Sequence, residues 1–277
     1  MRNRNHKSFT SQSISCSPRA CSGFLLILSV VFFTGCNADN TTKENLTAGY
    51  QALDARQFDE AMQHANQQLQ QSPSGPGSAE ALYLKGRALE QNTVAPDQVK
   101  STRQAARDAY QKALQQDPAP DLQRLLHAGI ANTSYFLDDY TTALEEWSAA
   151  YPSFDDPIVR SFMLYRIGLC QQRLGQFAQA DQTFANVQQQ YPGTDAATRS
   201  HEHQGFHSFT LQLATFANSR TADNTLDALR RQGMMPTKAV NAQGNTVVSI
   251  GPIPSYQQAL DLKTRFLPAY PQAIILP

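Results

Sequence analysis

The sequence predicts two folded parts, an all-α helical solenoid over residues 46–204 and an α+β domain with the order βαββαβ over residues 206–277. A chain of 277 residues has room for about two domains. A set of small, aromatic and proline residues recurs with fixed spacing in the first part, which is typical of a repeat structure. Near residue 205 this helical period gives way to the alternation of a half-buried strand.

The composition excludes several classes of protein. Lys and Arg number 23, and Asp and Glu also number 23, so the formal net charge is zero. A nucleic-acid-binding chain usually has a clear basic excess, so no nucleic-acid partner is expected. Charged residues make up 17% and apolar residues 41%, which is typical of neither a disordered chain nor a multi-span membrane protein.

The first 35 residues predict an export signal. Residues 1–22 are polar, and the charged residues of this segment are all basic. Residues 23–33 (GFLLILSVVFF) are free of charge, but the run is shorter than the roughly 20 apolar residues that span a bilayer. A basic start followed by a short apolar run is typical of a secretory signal peptide.

The residues that follow, Phe33-Thr34-Gly35-Cys36, resemble a bacterial lipobox, with Phe33 where Leu is usual. The resemblance implies a lipoprotein in which the chain is cleaved before Cys36 and acylated there, with residues 36–45 as a lipidated tether. Two or three acyl chains anchor a protein stably. Asn37, rather than Asp, implies the outer membrane, with the protein facing the periplasm. The alternative is an ordinary signal peptide followed by a chance cysteine.

The remaining cysteines predict no disulfide. Cys16 and Cys21 would leave with the signal and Cys36 would be lipidated, so only Cys170 remains in the mature chain. Cys170 falls on an amphipathic helical segment, which favours a small core residue over a catalytic thiol.

Residues 42–204 contain four related stretches. Each has a small residue, then an aromatic residue, then a second small residue, and most end at a proline. The members are Gly49-Phe58-Ala61-Pro73, Gly86-Ala106-Tyr110-Ala113-Pro118, Ala131-Tyr140-Ala143 and Gly168-Phe177-Ala180-Pro192. Small residues let two helices approach, and proline ends the second helix because it has no N–H to donate. An insertion over residues 92–101 predicts a longer loop in the second stretch, and Pro152 comes early in the third.

This pattern resembles the tetratricopeptide repeat (TPR), a helix–turn–helix unit of about 34 residues. The resemblance implies a concave groove, lined by the first helices, that binds a protein partner. The candidate groove residues are Gln51, Arg87, Asn132, Arg166 and Gln171. Arg87 and Arg166 have the planar donors that hold a carboxylate. The alternative is that both are solvated surface charges.

Residues 206–277 read as four strands and two helices. The predicted elements are a strand over 208–216, a helix over 222–232, strands over 237–240 and 246–250, a helix from Ser255 to about Leu267, and a strand over 273–276. Two helices on one face of a four-stranded antiparallel sheet form the ferredoxin-like arrangement. The other face stays open, as it does in the sheets of RNA-binding domains.

Two strands resemble motifs of SPOR domains. Residues 209–216 (FTLQLATF) match the first-strand motif, and residues 248–252 (VSIGP) match the third. The resemblance implies binding of peptidoglycan glycan strands that have lost their stem peptides, the material that amidases leave at division septa. The implied binding residues are Thr210, Gln212, Arg220, Val247, Ser249 and Gly251.

The sequence departs from the SPOR pattern where arginine is usual, at Val247 and Ser249, and Ala214 stands in place of glycine. A face without arginine lacks a charge-assisted donor for the carboxylate of muramic acid. Arg220, predicted in the loop after the first strand, is the candidate substitute. The alternative is a domain that is retained for protein contact or stability and no longer binds glycan.

The sequence predicts no enzyme, cofactor or metal site. His201, His203 and His207 have a spacing that transition metals accept, but three histidines beside a linker are more often solvated. The chain contains no phosphate loop, nucleophile elbow or zinc motif. The first functional hypothesis is therefore a wall-binding envelope lipoprotein. The second is an outer-membrane assembly or interaction scaffold that uses the groove alone.

Overall fold

The computed structural model describes residues 35–276, with all side chains except those of residues 35–41 and Pro76. The predicted signal sequence, apart from Gly35, and the side chain of Cys36 lie outside the described residues. Within that range, nine α-helices precede a four-stranded sheet with two further helices. The predicted fold class, an all-α TPR-like solenoid followed by an α+β ferredoxin-like domain, is confirmed. None of these helices has the length and apolar composition needed to cross a membrane.

The helices of the first part pack as four successive pairs, with a ninth helix closing the array. Their bounds are α1 Gly35–Asp54, α2 Phe58–Gln71, α3 Pro76–Gln91, α4 Val99–Leu114, α5 Pro120–Phe136, α6 Tyr140–Ala150, α7 Pro157–Arg173, α8 Phe177–Gln190 and α9 Asp195–His203. Each first helix also packs on the second helix of the preceding pair. The array therefore buries a continuous core that no single pair could form alone.

The segment predicted as a tether, residues 36–45, is helical and forms the first half of α1. Two of its described polar side chains, Thr42 and Asn45, find partners on α2. Gln68 Nε2 donates to Thr42 Oγ1 at 3.1 Å, and Asn45 Nδ2 donates to Gln71 Oε1 at 3.1 Å. The absence of an apolar stripe therefore did not mean the absence of a helix, because side-chain hydrogen bonds supply the contacts.

Three of the turns between paired helices share one backbone conformation. In each, a residue with φ of 60°, 62° or 76° stands two positions before the aromatic residue that begins the second helix. The pairs are Arg56 and Phe58, Asp138 and Tyr140, and Gly175 and Phe177. Glycine adopts this left-handed region freely, whereas other residues are strained there.

Glycines on the first helices allow close contact with buried aromatic rings. A Cβ added to Gly168 would lie 2.6 Å from the ring of Phe184. Tyr110 is held in the same way from two sides, 2.4 Å from a Cβ at Gly86 and 2.7 Å from one at Gly129. The third pair, whose motif position is Ala131, therefore still contributes a glycine at the interface with the second pair.

The second part is an antiparallel sheet in the order β2-β3-β1-β4. Its elements are β1 Phe209–Phe216, α10 Ser219–Arg231, β2 Pro236–Val240, β3 Thr246–Ile253, α11 Tyr256–Phe266 and β4 Ile274–Leu276. Both helices pack on one face, over a core that includes Phe209, Leu211, Leu226 and Phe266. The other face carries no helix of the described chain.

Two irregularities in the pairing of β1 with β3 were not predicted. Strand β3 does not end at Gly251-Pro252 but continues to Ile253. Two residues of β3, Gly251 and Pro252, lie opposite the single residue Thr210 of β1 and form a bulge. A strand accepts proline at a bulge. A second bulge near Leu213 reverses the alternation of β1. After this bulge Thr215 is exposed, and Phe216 packs against the core.

The two parts meet in an aromatic junction at the turns of the third and fourth helix pairs. The Arg173 guanidinium stacks 4.0 Å from the ring centroid of Tyr256 and 5.6 Å from that of Phe209. Tyr140 meets Tyr256 edge-on at 5.3 Å, and Phe177 lies 6.0 Å from Phe209. These turn aromatics therefore serve both their own repeats and the contact with the sheet domain.

Hydrogen bonds to one carboxylate accompany the aromatic contacts. Asp181 of α8 accepts from the Gly205 backbone N–H at 2.8 Å and lies 2.7 Å from His207 Nε2. Only residues 204–208 separate α9 from β1. The sheet domain is thus docked directly on the solenoid.

Candidate functional sites

The uncovered face of the sheet, here called the open face, carries one row of paired residues across all four strands. Ile274 pairs with Gln212, Gln212 with Ser249, and Ser249 with Thr237. Paired residues on adjacent strands point to the same side of a sheet. The row therefore places one amide and two hydroxyl groups side by side, next to an apolar residue.

The polar side chains of the open face are not used by the fold. Within the described residues, Thr210, Gln212, Ser249 and Thr237 make no side-chain hydrogen bond. They are half-buried or exposed. Half-buried amide and hydroxyl groups need a partner, so on this face either water or a ligand must supply it.

Two further predicted residues complete the open face. A Cβ added to Gly251 would lie 3.0 Å from Thr210 Oγ1, so glycine here keeps the Thr210 hydroxyl uncovered. At the other end, Val247 pairs with Thr215 and Ala239. The structure thus brings together five of the six predicted binding residues: Thr210, Gln212, Val247, Ser249 and Gly251.

Arg220 does not lie in a loop, as predicted, but in the first turn of α10. Its backbone N–H donates to Asn218 Oδ1, the helix cap, at 2.8 Å, and its exposed side chain belongs to the helical layer. The other basic residues of the domain are also off the open face. They are Arg230, Arg231, Lys263 and Arg265 on the two helices, and Lys238, which pairs with Asp223 on the covered side. The described part of the open face is therefore uncharged.

The second candidate site is a hollow of about 410 Å³ between α3, α5 and α7, here called the central cavity. Two of the five predicted groove residues, Arg87 and Asn132, line it. Its wall is mainly apolar and includes Leu125, Ala128, Trp147, Phe154, Val159, Phe162 and Met163. A volume of this size falls within the usual range for ligand pockets, about 300–1,000 Å³.

Hydrogen bonds fix the polar side of the central cavity. Both Glu90 carboxylate oxygens accept, one from the Tyr110 hydroxyl at 2.5 Å and the other from Asn132 Nδ2. Arg87 Nη1 donates to the Tyr83 hydroxyl at 3.0 Å. Glu90, which no sequence motif identified, therefore sets the orientation of Asn132.

Arg166 lies behind the cavity wall among aromatic rings. Its guanidinium carbon is 4.8 Å from the centroids of both Tyr135 and Phe162, and 5.9 Å from that of Trp147. Its Nε is buried and finds no acceptor in the described chain. Cation–π contacts hold the side chain, so Arg166 stiffens the wall and does not line the cavity.

The other two predicted groove residues face elsewhere. Gln51 is exposed on α1 and lies outside the lining of the central cavity. Gln171 accepts a hydrogen bond from Thr183 Oγ1 of α8 at 2.7 Å. It therefore joins the two helices of its own pair. Spacing within the repeat identifies first-helix residues, but it does not separate groove-facing ones from pair-facing ones.

The histidines near residue 205 do not converge. His203 is half-buried between Tyr165 and Phe184, His207 faces Asp181, and His201 is exposed. In the described part of the chain no three His, Cys, Asp or Glu side chains group as metal ligands.

Cys170 is fully buried in the solenoid core. Burial raises the pKa of its thiol to about 12. At neutral pH the group is therefore protonated and lacks the thiolate needed for nucleophilic attack.

Comparison with known proteins agrees with both halves of this description. Residues 163–194 match the family described as "Tetratricopeptide repeat", and residues 207–277 match the family described as "SPOR domain". No curated protein has a sequence similar enough to match the chain. Among solved structures, the crystal structure of MamA protein aligns at 14% identity over 70% of this chain and 93% of that chain, with a TM-score of 0.47.

Proposed function

Because the chain carries a TPR repeat over residues 163–194 and a C-terminal SPOR domain over residues 207–277, we propose that it is a non-enzymatic cell-envelope protein. Its open face binds peptidoglycan glycan strands and its solenoid binds a protein partner. The observation that carries the wall-binding half is the row Gln212, Ser249 and Thr237, whose polar groups are free of bonds within the described fold. Sugars present many hydroxyl and amide groups that such a row can pair with.

The uncharged open face adds detail to this proposal. A ligand bound there is held by neutral hydrogen bonds and by apolar contacts with residues such as Ile274 and Val247. Recognition then rests on sugar hydroxyl and N-acetyl groups, without an ion pair to a muramic acid carboxylate. Removal of stem peptides favours binding because it uncovers the strand.

The location of the protein is a further part of the proposal. The lipobox resemblance at Cys36 supports a lipid anchor in the outer membrane with the folded parts in the periplasm. The protein would then tie the membrane to the wall, and denuded glycan would concentrate it at division sites. Replacing Cys36 with serine should move the protein from the membrane fraction to the soluble periplasmic fraction.

One observation supports an alternative, an interaction scaffold whose SPOR domain no longer binds glycan. The open face lacks the arginines that the SPOR pattern carries at positions 247 and 249. In that case the sheet domain serves as a docked cap on the solenoid, through the Arg173 and Tyr256 stack.

Co-sedimentation with purified sacculi separates the two functions. The protein spanning residues 37–277 should sediment with sacculi, and more strongly after amidase treatment. Gln212→Ala should weaken binding by about 2–10-fold, since each neutral hydrogen bond contributes about 0.5–1.5 kcal/mol. Gln258→Ala, the same change on the exposed surface of α11, is the matched control. Failure of the unmodified protein to sediment with either preparation would favour the scaffold.

A further inference from the structure

Little free chain separates the candidate lipid site from the solenoid. Helix α1 begins at Gly35, so the segment that follows Cys36 is helical from its start. The hydrogen bonds of Thr42 and Asn45 fix this segment on α2. Residues 36–41 precede the first of these contacts and add about 9 Å of helix, at roughly 1.5 Å per residue. A lipid at Cys36 is therefore joined to the end of a packed helix, not to a flexible tether.

The first helices of the pairs all run in the same direction. Each is joined to its second helix by a turn that reverses the chain, so it begins on one edge of the solenoid and ends on the other. The edge where the first helices begin is here called the loop edge, and the edge where they end the turn edge. The loop edge contains the connections between pairs, which are residues 72–75, 115–119, 151–156 and 191–194. Cys36 stands at the start of α1 and therefore belongs to the loop edge.

The sheet domain contacts the turn edge. Tyr256 packs on Tyr140 and Arg173, which lie at the start of α6 and the end of α7. Phe209 packs on Phe177 at the start of α8. The 17 residues of α7 separate this edge from the loop edge by about 25 Å, at roughly 1.5 Å per residue. The start of α1 and the sheet domain therefore lie on opposite sides of the solenoid.

We propose that the anchored protein lies with its loop edge against the bilayer and holds the sheet domain on the far side, at least about 25 Å above the lipid surface. The solenoid then acts as a rigid spacer that sets the distance between the membrane and a bound glycan strand. This inference rests on the lipid anchor of the proposed function and adds an orientation to it. A flexible tether would leave the sheet domain free to lie on the lipid surface.

The loop edge carries groups that suit the headgroup layer of a bilayer. The hydroxyls of Tyr151 and Tyr191 are 2.9 Å apart, and the Arg160 guanidinium lies 4.3 Å from the ring centroid of Tyr151. Ile158, at the start of α7, is 64% exposed. Tyrosine is enriched at membrane–water interfaces, and arginine keeps its charge in water while its stem covers apolar surface. The carboxylates of residues 155–156 are exposed on the same edge, so a zwitterionic surface fits better than an anionic one.

The test attaches the protein to a bilayer at the candidate lipid site. The chain spanning residues 36–277 is coupled through Cys36 to a maleimide-bearing lipid in phosphatidylcholine vesicles. Cys170, the other cysteine of this span, is fully buried and does not compete for the lipid. The attachment does not depend on acylation in the cell. Failure of the proposed anchor, which fractionation of Cys36→Ser tests, is therefore a separate result.

Energy transfer from a dye on the protein to an acceptor lipid measures the height of each region. An azide-bearing amino acid carries the dye at one of three exposed positions, Asp155, Gln176 or Gln243. The first two flank the opposite ends of α7, and the third lies in the turn between β2 and β3. Transfer should be several-fold more efficient from position 155 than from position 176 or 243.

An inserted linker tests whether α1 sets this orientation. About ten Gly and Ser residues between Cys36 and Asn37 supply a flexible tether, and they should reduce the difference between positions 155 and 243 by about half or more. The same insertion after Pro96, in the loop between α3 and α4, is the matched control and should leave the difference unchanged. Thermal unfolding establishes that each variant is folded. Equal transfer from all three dyes, strongest transfer from position 243, or a difference that survives the linker after Cys36 overturns the inference.

Discussion

The central cavity and the open face use their polar groups in opposite ways. In the cavity, Glu90 and Asn132 are bonded to the protein and one arginine is left with spare donors. On the open face, the amide of Gln212 and the hydroxyl of Ser249 are unbonded, and no charged side chain of the described chain is present. The cavity wall is apolar, whereas the centre of the open face is polar.

This difference predicts two kinds of recognition within one chain. The cavity has a prepared apolar wall with one cation, Arg87, and one anion, Glu90, so it selects a ligand mainly by burial. An uncharged row of hydroxyl and amide groups selects by hydrogen-bond pattern, which neutral sugars can match. The two surfaces should therefore respond differently to charge, salt and pH.

The largest change should come from placing a charge on the open face. Ser249→Arg puts a guanidinium beside Gln212, where the SPOR pattern carries arginine. We expect binding to denuded sacculi to strengthen by at least about tenfold, because a charge-assisted bond to a muramic acid carboxylate contributes about 1.5–3 kcal/mol. Ser249→Gln, similar in reach but neutral, should give no comparable gain in sedimentation. An unchanged affinity in the arginine variant would show that the ligand presents no carboxylate there.

The next effect concerns the junction that holds the two regions together. Arg173→Ala removes the stack on Tyr256 and Phe209 and should lower the free energy of unfolding by about 1–2 kcal/mol. Hydrogen exchange should then show the sheet domain opening separately from the solenoid. Arg199→Ala, a change in an exposed pair with Asp195, should leave exchange in the sheet unaltered. Equal exchange in both variants would argue that the junction adds no stability.

A smaller contrast should appear with salt. Raising NaCl from ~0.05 M to ~0.5 M shortens the screening length to a few ångströms. Because the described part of the open face carries no charged side chain, sacculus binding should change less than about twofold. Sedimentation at each salt concentration measures this change. Strong salt dependence of sacculus binding would mean that basic residues outside the open face contribute.

The smallest expected effect is a pH dependence confined to the solenoid. Burial lowers the pKa of His203 from its usual 6.5. The nearby charge of Arg173 lowers the pKa further, and Glu202 acts in the opposite direction. Below about pH 6.5 the unfolded chain takes up a proton that the folded chain resists. The free energy of unfolding is therefore highest above about pH 6.5. It decreases as the pH falls towards the pKa that His203 has in the folded protein.

Thermal unfolding from pH 7.5 down to pH 5 checks this expectation. His203→Gln should flatten the dependence, and the same change at the exposed His201 should not. A dependence that survives in the His203 variant would place the responsible group elsewhere.

The sequence predicted the features that repeat or alternate. The small and aromatic positions, such as Gly168 and Phe177, follow from repeat spacing, and the candidates Gln212 and Ser249 follow from the resemblance of two strands to SPOR motifs. The bulge at Leu213 could not be foreseen, since one extra residue leaves the composition of a strand unchanged. Glu90 was missed because its role depends on Tyr110 and Asn132, which lie far from it in sequence.

Strand β1 serves both the junction and the open face. Phe209 lies under the Arg173 stack, and Gln212 stands three residues further along the same central strand. At about 3.3 Å per residue, the two points are roughly 10 Å apart. A mechanical load on a glycan held at Gln212 would run along β1 into the solenoid as shear across its flanking ladders with β3 and β4. In shear, the backbone hydrogen bonds of both ladders bear the load together. The connection between wall and solenoid would therefore be stiff under tension.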